Sequence, residues 1–464
     1  MPKRPKLILF LVIDQFRADY LLRFESRFMP SKGKDGSVGG FRYLMNEGAY
    51  YPVGEYDILH SMTGPGHSTV LTGAYPYQSG IPTNYWFSEK TWERAYCMED
   101  PAYRTILSPG APEGSPHLGT SPRSLISTTL GDELKNSGLP SRVVALALKD
   151  RAAILMGGHR ADLTFWFDAK TGQWASSSFY LPEQKLPGWL DQLNQEVKAR
   201  HGEKLVWKTE GRGTGYSADD LYSYITAKWP FGNKFPHESS FGAKYFTSLP
   251  VGLELTETAA ERALDAFKLG RRNATDLLAV SFSTHDYMAH AFGPNSREME
   301  ELTVAEDRVI SKLLNYVRKN TPGGLKDVVI VLTADHGSPT SPEWLAAHRI
   351  AAGRISETKL SEAVSARLEK KFGKPDRGSW VTLVYDLNFY LNDAAILEKK
   401  LDRSEVEREA KRVIANDPGV AHVFGSVDWE TRRLPPGMHE RQILHTYYPG
   451  RSGDVVAIPR PYFM

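Results

Sequence analysis

Cysteine is almost missing from this chain: Cys97 is the only one in 464 residues. A lone thiol forms no internal disulfide, which excludes a disulfide-stapled scaffold and any cysteine-rich zinc or iron–sulfur centre. An excess of either charge is missing too, with 57 Lys+Arg against 55 Asp+Glu and a formal charge of +2. That balance gives no electrostatic case for nucleic acid or an anionic membrane as main partner. No apolar stretch approaches the roughly 18 residues of a membrane span. Internal repeats and low-complexity tracts are also absent. The basic Met1–Lys6 followed by Leu7–Ile13 imitates a signal peptide. However, the apolar run stops at Asp14 with no small-residue cleavage site, so it reads as a buried strand, with no signal peptide visible.

Four apolar runs have the character of central parallel strands: Leu7–Ile13, Arg142–Leu148, Leu277–Phe282 and Val328–Thr333. Helical spacing marks Ser121–Ser137, Thr256–Leu269 and Met299–Lys319. The expected fold class is α/β, a mostly parallel sheet with helices on both faces and cap insertions. Residues 1–156 and 256–337 read as the core, and 157–255 as an irregular insertion. Residues 338–440 read as a small α+β insertion and 441–464 as a return to the core. Within the later insertion, Trp380–Leu391 alternates like one strand, Arg403–Asn416 is an amphipathic helix and Gly419–Phe424 another strand.

Several strand ends carry chemistry, and ligand sites of open α/β sheets lie at the carboxyl ends of strands. Thr333-Ala-Asp-His-Gly337 places a carboxylate and an imidazole side by side, either as metal ligands or as a capped turn. Asp286 and His290 are four apart on a helical turn, either a ligand pair or a solvated Asp with a packed His. His285 points elsewhere on that turn. Asp14 closes the first strand as a ligand or as a cap. In Ser61-Met-Thr-Gly-Pro-Gly-His-Ser-Thr69, Thr63 is either a simple N-cap or a hydroxyl activated at a helix N-terminus that favours phosphate. Lys149-Asp-Arg151 is either a solvated charge cluster or a phosphate clamp. Three carboxylates with two imidazoles suit zinc or manganese.

Taken in this order, the motifs resemble the alkaline phosphatase superfamily, in its branch of bacterial alkaline phosphatases with a threonine nucleophile. The resemblance covers nearly the whole chain. It rests on Val12–Arg17, Thr63–His67, Ile81–Asn84, Leu148–Ile154, Ser283–Pro294 and Ala334–Gly337, and most selectively on Asn84, 21 positions after Thr63, and the Lys149-x-Arg151 pair. It implies phosphate monoester hydrolysis through a phospho-threonine, with two zinc ions as cofactor. One zinc would be held by Asp14, Asp335, His336 and the Thr63 oxygen, the other by Asp286, His290 and one more histidine. Asn84, Lys149 and Arg151 would bind the phosphate oxygens. His67 and Asp150 would support the site or merely the fold. The partners implied are small-molecule phosphate monoesters, not nucleic acid or membrane; a monomer in the periplasm or secreted is expected.

The family's remaining zinc histidine follows an Arg-Ser-Gly-Asp segment, here Arg451–Asp454, beyond which no histidine occurs. The expectation is a truncated last segment, with His439 or His445 as possible substitutes. Two other functions stand beside the first. One is a phosphodiesterase or nucleotide pyrophosphatase of the same superfamily, which would lack the Lys-x-Arg pair. The other is a non-catalytic metal- and phosphate-binding protein or inactive fragment.

Overall fold

Leu7–Ile13 is apolar on both sides, so it is stable only where both faces of a sheet are covered. In the computed structural model, which describes residues 4–110, 118–210, 232, 234–240, 247–431, 434 and 436–464, it occupies such a place. An eight-stranded sheet runs in the order Val328–Thr333, Leu7–Ile13, Asp276–Phe282, Val143–Ala147, Leu163–Asp168, Gln173–Ser177, Glu99–Ile106, Leu118–Thr120. The first five strands are parallel and the rest antiparallel. Phe10, Val12, Val143, Ala145, Leu277 and Ala279 form one buried face with Leu71 and Met156 from two helices. The alternate residues Leu9, Leu11, Val144, Leu146, Leu278 and Val280 are buried as well, so both faces are covered.

Two expectations about the first unit need correction. Ser121–Ser137 is not one helix: a 3-10 turn at Pro122–Ser124 precedes a helix confined to Leu130–Asn136. Thr129 and Asp132 set that start through a reciprocal capping box. The segment 157–255 is not an irregular insertion throughout, because Leu163–Asp168 and Gln173–Ser177 join the main sheet. Its residues 211–231, 233 and 241–246 lie outside the described residues, as do 432, 433 and 435 of the later insertion.

The chain divides into two units, the first comprising residues 1–56, 66–73 and 98–338, the second 57–65, 74–97 and 339–464. The second is built on an antiparallel sheet ordered Val381–Tyr385, Asn388–Leu391, Val455–Pro459, Val420–Gly425. Helices Glu357–Phe372 and Arg403–Ile414 bury Leu360, Val364, Leu368, Val406, Ala410 and Ile414 with this sheet. Trp380–Leu391 is therefore a hairpin, not one strand. Asp386 and Leu387 form its two-residue loop, both at positive φ (51° and 57°), as a type I′ turn requires. Neither is glycine, and the Leu387 N–H is secured by Glu357 Oε1 at 2.7 Å. Residues 441–464 do not return to the first unit's sheet, since Val455–Pro459 pairs within the second. Among the described residues no helix is long and apolar enough to cross a membrane.

Two buried carboxyls give the second unit a pH dependence. Burial pushes Glu407 up to about 7 against hydrogen bonds from Ser426 and Val427, and lifts Asp454 to about 6 against Arg403. Both exceed their ordinary values of 4.5 and 3.8, so the folded state holds protons that the unfolded chain has released. That stabilisation is complete below those ordinary values and is lost as pH rises through about 6–7. Glu407→Gln should therefore gain in stability relative to the parent chain as pH rises from about 4.5 to about 7. Denaturant midpoints of both proteins across that range would test this; a constant difference would count against it.

Candidate active site

Parallel register decides which distant residues meet. Ile13 lies opposite Phe282, Val12 opposite Thr333, and Ser281 opposite Ala147, so four neighbouring strands end at one level. The chain leaves those ends through Asp14, through helix Thr284–Phe292 with Asp286 and His290, through Asp335-His336, and through Lys149, which precedes helix Asp150–Gly157. Asp14, Asp286, Asp335, His336 and Lys149 are all buried there.

His336 Nε2 lies 3.4 Å from Asp14 Oδ1, 3.5 Å from Asp335 Oδ2 and 4.0 Å from Asp286 Oδ1. His290 Nε2 is 3.2 Å from Asp286 Oδ1, with its ring largely exposed. Lys149 Nζ is 2.7 Å from Asp14 Oδ2 and also pairs with Asp286 Oδ2. Expected as a phosphate ligand, it directs its ammonium at two carboxylates. Arg151, two residues on, is close enough for its charge to oppose that of Lys149.

Burial alone would push these carboxyls up, but the cations around them reverse the effect. Asp286 falls to about 2, chiefly through Lys149 and then His290. Asp335 falls below the usual carboxylate range through His336 and His67. Burial would lower His336 as well, yet Asp335 and Asp14 raise it to about 9. Beyond their ion pairs with Lys149, His336 and His67, neither oxygen of Asp14 nor Oδ2 of Asp335 meets a further hydrogen-bond donor among the described residues. Buried carboxylate oxygens left in this condition, among imidazoles, suit a divalent metal ion. Among the described residues, two groups have their ligand atoms within 4.8 Å of one another: Asp14, Asp286 and His336, and Asp14, His67 and Asp335. Asp14 is common to both.

Thr63 and Asn84 belong to the second unit. Thr63 opens helix Thr63–Thr72, and the Gly64 N–H donates to Asn84 Oδ1 at 2.7 Å. A Cβ on Gly64 would lie 2.7 Å from that oxygen. Gly66, in the first unit, faces the Asp335 carbonyl oxygen so closely that a Cβ would come within 2.4 Å. Close approach to backbone thus demands the glycine at 66, whereas a Cβ at 64 would displace the Asn84 side chain that the Gly64 N–H holds.

The sequence reading missed Gln15 and Glu306. Gln15 adopts φ 69°, costly for a side chain with a Cβ. Its backbone N–H donates to Asp335 Oδ1 (2.9 Å) and its Nε2 to Asp286 Oδ1 (2.7 Å). A glutamine after a strand-end Asp gives no sequence signal of such a role. His285 turns away, as expected, with Nδ1 3.0 Å from both oxygens of buried Glu306. His445 Nδ1 lies 2.8 Å from the Asp57 carbonyl, its ring stacked on Tyr75, while His439 faces His422.

The family described as type I phosphodiesterase / nucleotide pyrophosphatase matches residues 8–464. Alkaline phosphatase PhoV of Synechococcus elongatus is 32% identical, over 98% of this chain and 80% of PhoV. A Myroides odoratus protein named Calcium-transporting ATPase is 31% identical, over 99% of this chain and 82% of its own. The crystal structure of wild-type alkaline phosphatase PafA is similar with a TM-score of 0.83 at 27% identity, covering 100% of this chain and 86% of PafA.

Gly66→Ala should destabilise the fold by about 1–3 kcal/mol, because the obstructing atom is backbone. Gly54→Ala, where nothing lies within 4 Å of the added carbon, should be silent. Thermal midpoints of the two variants without added metal decide the point, and equal midpoints would contradict it.

Proposed function

The chain belongs to the type I phosphodiesterase / nucleotide pyrophosphatase family, among its bacterial alkaline phosphatases, and is a phosphatase; we propose that it hydrolyses small phosphate monoesters through a phospho-threonine at Thr63, with two zinc ions as cofactor. The observation that carries this reading is the convergence of Asp14, Asp286, Asp335 and His336 at adjacent strand ends. In this reading Asp14, Asp335, His336 and the Thr63 oxygen hold one ion, and Asp286 and His290 contribute to the other. Two zinc ions, when bound, supply Lewis-acid charge for the attacking and leaving oxygens.

The chain's own groups do the rest. Thr63 sits at a helix N-terminus, where amide N–H groups and the helix dipole favour both a developing alkoxide and an incoming phosphate. Its Oγ attacks phosphorus, the substrate's ester oxygen leaves and takes up a proton, and the phosphoryl group passes to threonine. Water then attacks the phospho-threonine, releasing inorganic phosphate and restoring the hydroxyl. A monoester transfers through a loose, highly charged transition state, so positioned charge matters more than covalent assistance. Asn84 and Arg151 meet that charge at the non-bridging oxygens, Arg151 as a bidentate donor, and Lys149 would join them where bound metal took over the two carboxylates it faces.

A diester carries one charged oxygen fewer, so the Lys149-x-Arg151 pair favours monoesters. The name of the Myroides relative shares with this reading the hydrolysis of a phosphate bond. Action in the periplasm or outside the cell belongs to the same reading, supported by the bacterial alkaline phosphatases among the relatives.

Thr63→Ala should abolish turnover of an aryl phosphate while the fold persists, and Thr63→Ser should retain part of it. Wild-type rates in the alanine variant would dispose of the nucleophile. Arg151→Ala should lose about 2–4 kcal/mol of transition-state stabilisation toward an aryl monoester and less toward the matching diester. Equal losses in kcat/KM for the two substrates would refute the selectivity argument.

A further inference from the structure

His67 has both ring nitrogens engaged in the protein interior. Nε2 lies 2.9 Å from Ser281 Oγ, Nδ1 lies 3.0 Å from Asp335 Oδ2, and all three side chains are fully buried. Ser281 belongs to strand Asp276–Phe282, whereas Asp335 follows strand Val328–Thr333. Leu7–Ile13 runs between these two strands, so the imidazole spans the end of the strand that delivers Asp14.

The hydroxyl of Ser281 can donate to Nε2, which leaves the ring proton on Nδ1, directed at Asp335. The other oxygen of that carboxylate, Oδ1, already accepts from the backbone N–H groups of Gln15 (2.9 Å) and His336 (2.8 Å). Two amides thus hold one oxygen and the imidazole limits the swing of the second. Among the described residues Oδ2 meets no donor beyond this imidazole and that of His336, so it keeps a lone pair for a cation.

We propose that His67, steered by Ser281, is a positioning residue that fixes the rotation of Asp335 so that Oδ2 faces a bound divalent metal. This rests on the metal-site reading above and adds to it a supporting pair that does not itself bind metal. Supporting hydrogen bonds of this kind typically change metal affinity by about 10–100-fold.

The test is zinc affinity of the full chain, measured by competition with a chromophoric chelator, with heat unfolding of the metal-free proteins alongside. His67→Ala should weaken zinc by about 10–100-fold. His67→Asn, whose amide nitrogen can stand where Nδ1 stands, should recover most of that loss. Ser281→Ala should weaken zinc less, and the double variant should lose no more than His67→Ala, because the two residues act in series. If His67→Ala does not fold, Ser281→Ala decides alone. Unchanged affinity in both single variants, or strictly additive losses, would overturn the proposal. So would a His67→Ala protein that binds one zinc fewer with Ser281→Ala unaffected, since His67 would then be a ligand. A wild-type chain that bound no zinc would instead defeat the metal-site reading, and this inference with it.

Discussion

Three aspartates buried side by side repel one another, and everything around them answers that repulsion. An uncompensated carboxylate in a protein interior costs several kcal/mol. Lys149 between Asp14 and Asp286, and His336 beside Asp14 and Asp335, are the compensation the chain itself supplies. The cluster exists only because four parallel strands end together, and a slip of one residue in any of them would turn its side chains to the other face. Architecture and chemistry are therefore one constraint here. The sheet must be buried on both faces to be stable, and its register then forces the charges into one place.

Close backbone approach is the second constraint. Gly64 admits the Asn84 amide and Gly66 admits the Asp335 carbonyl, so one short motif serves a contact in each unit. An added carbon at Gly66 would meet backbone, and one at Gly64 would push the Asn84 side chain aside. This explains how a turn that reads as weak when isolated becomes specific once its surroundings are known.

Much of this was legible in the residues. Leu7–Ile13 is a strand over the span its apolar run marked, because continuous burial leaves a continuous signal; Val328–Thr333 also matches its run, although it is a half-buried edge strand with Val329 exposed. The strand-end placement of Asp14 and Asp335 followed from those strands, and that of Lys149 from the run Arg142–Leu148, whose strand is Val143–Ala147. Other features were not legible, for physical reasons. Gln15 acquires its role from a strained backbone that nothing in glutamine announces. The pairing of His285 with Glu306 joins two separate helices, a tertiary contact without local pattern. The Asp386-Leu387 turn lacks the glycine that normally marks a type I′ loop, so alternation across it read as one strand. Leu163–Asp168 and Gln173–Ser177 were obscured by the tryptophans and serines around them, though both are largely buried.

Strand Val455–Pro459 occupies an interior place in its sheet, with Asn388–Leu391 on one side and Val420–Gly425 on the other. Without it those two strands have no common partner, and each would present an open edge. During synthesis the described segments of the first unit have emerged once residue 338 is out, whereas the second unit's sheet must wait for its fourth strand in chain order. A ribosome stalled shortly before residue 455 would thus carry an antiparallel sheet in which Asn388–Leu391 and Val420–Gly425 both lack the strand that joins them. The order of the chain makes the antiparallel sheet the late and aggregation-exposed step of biogenesis, while the carboxylate cluster can assemble early.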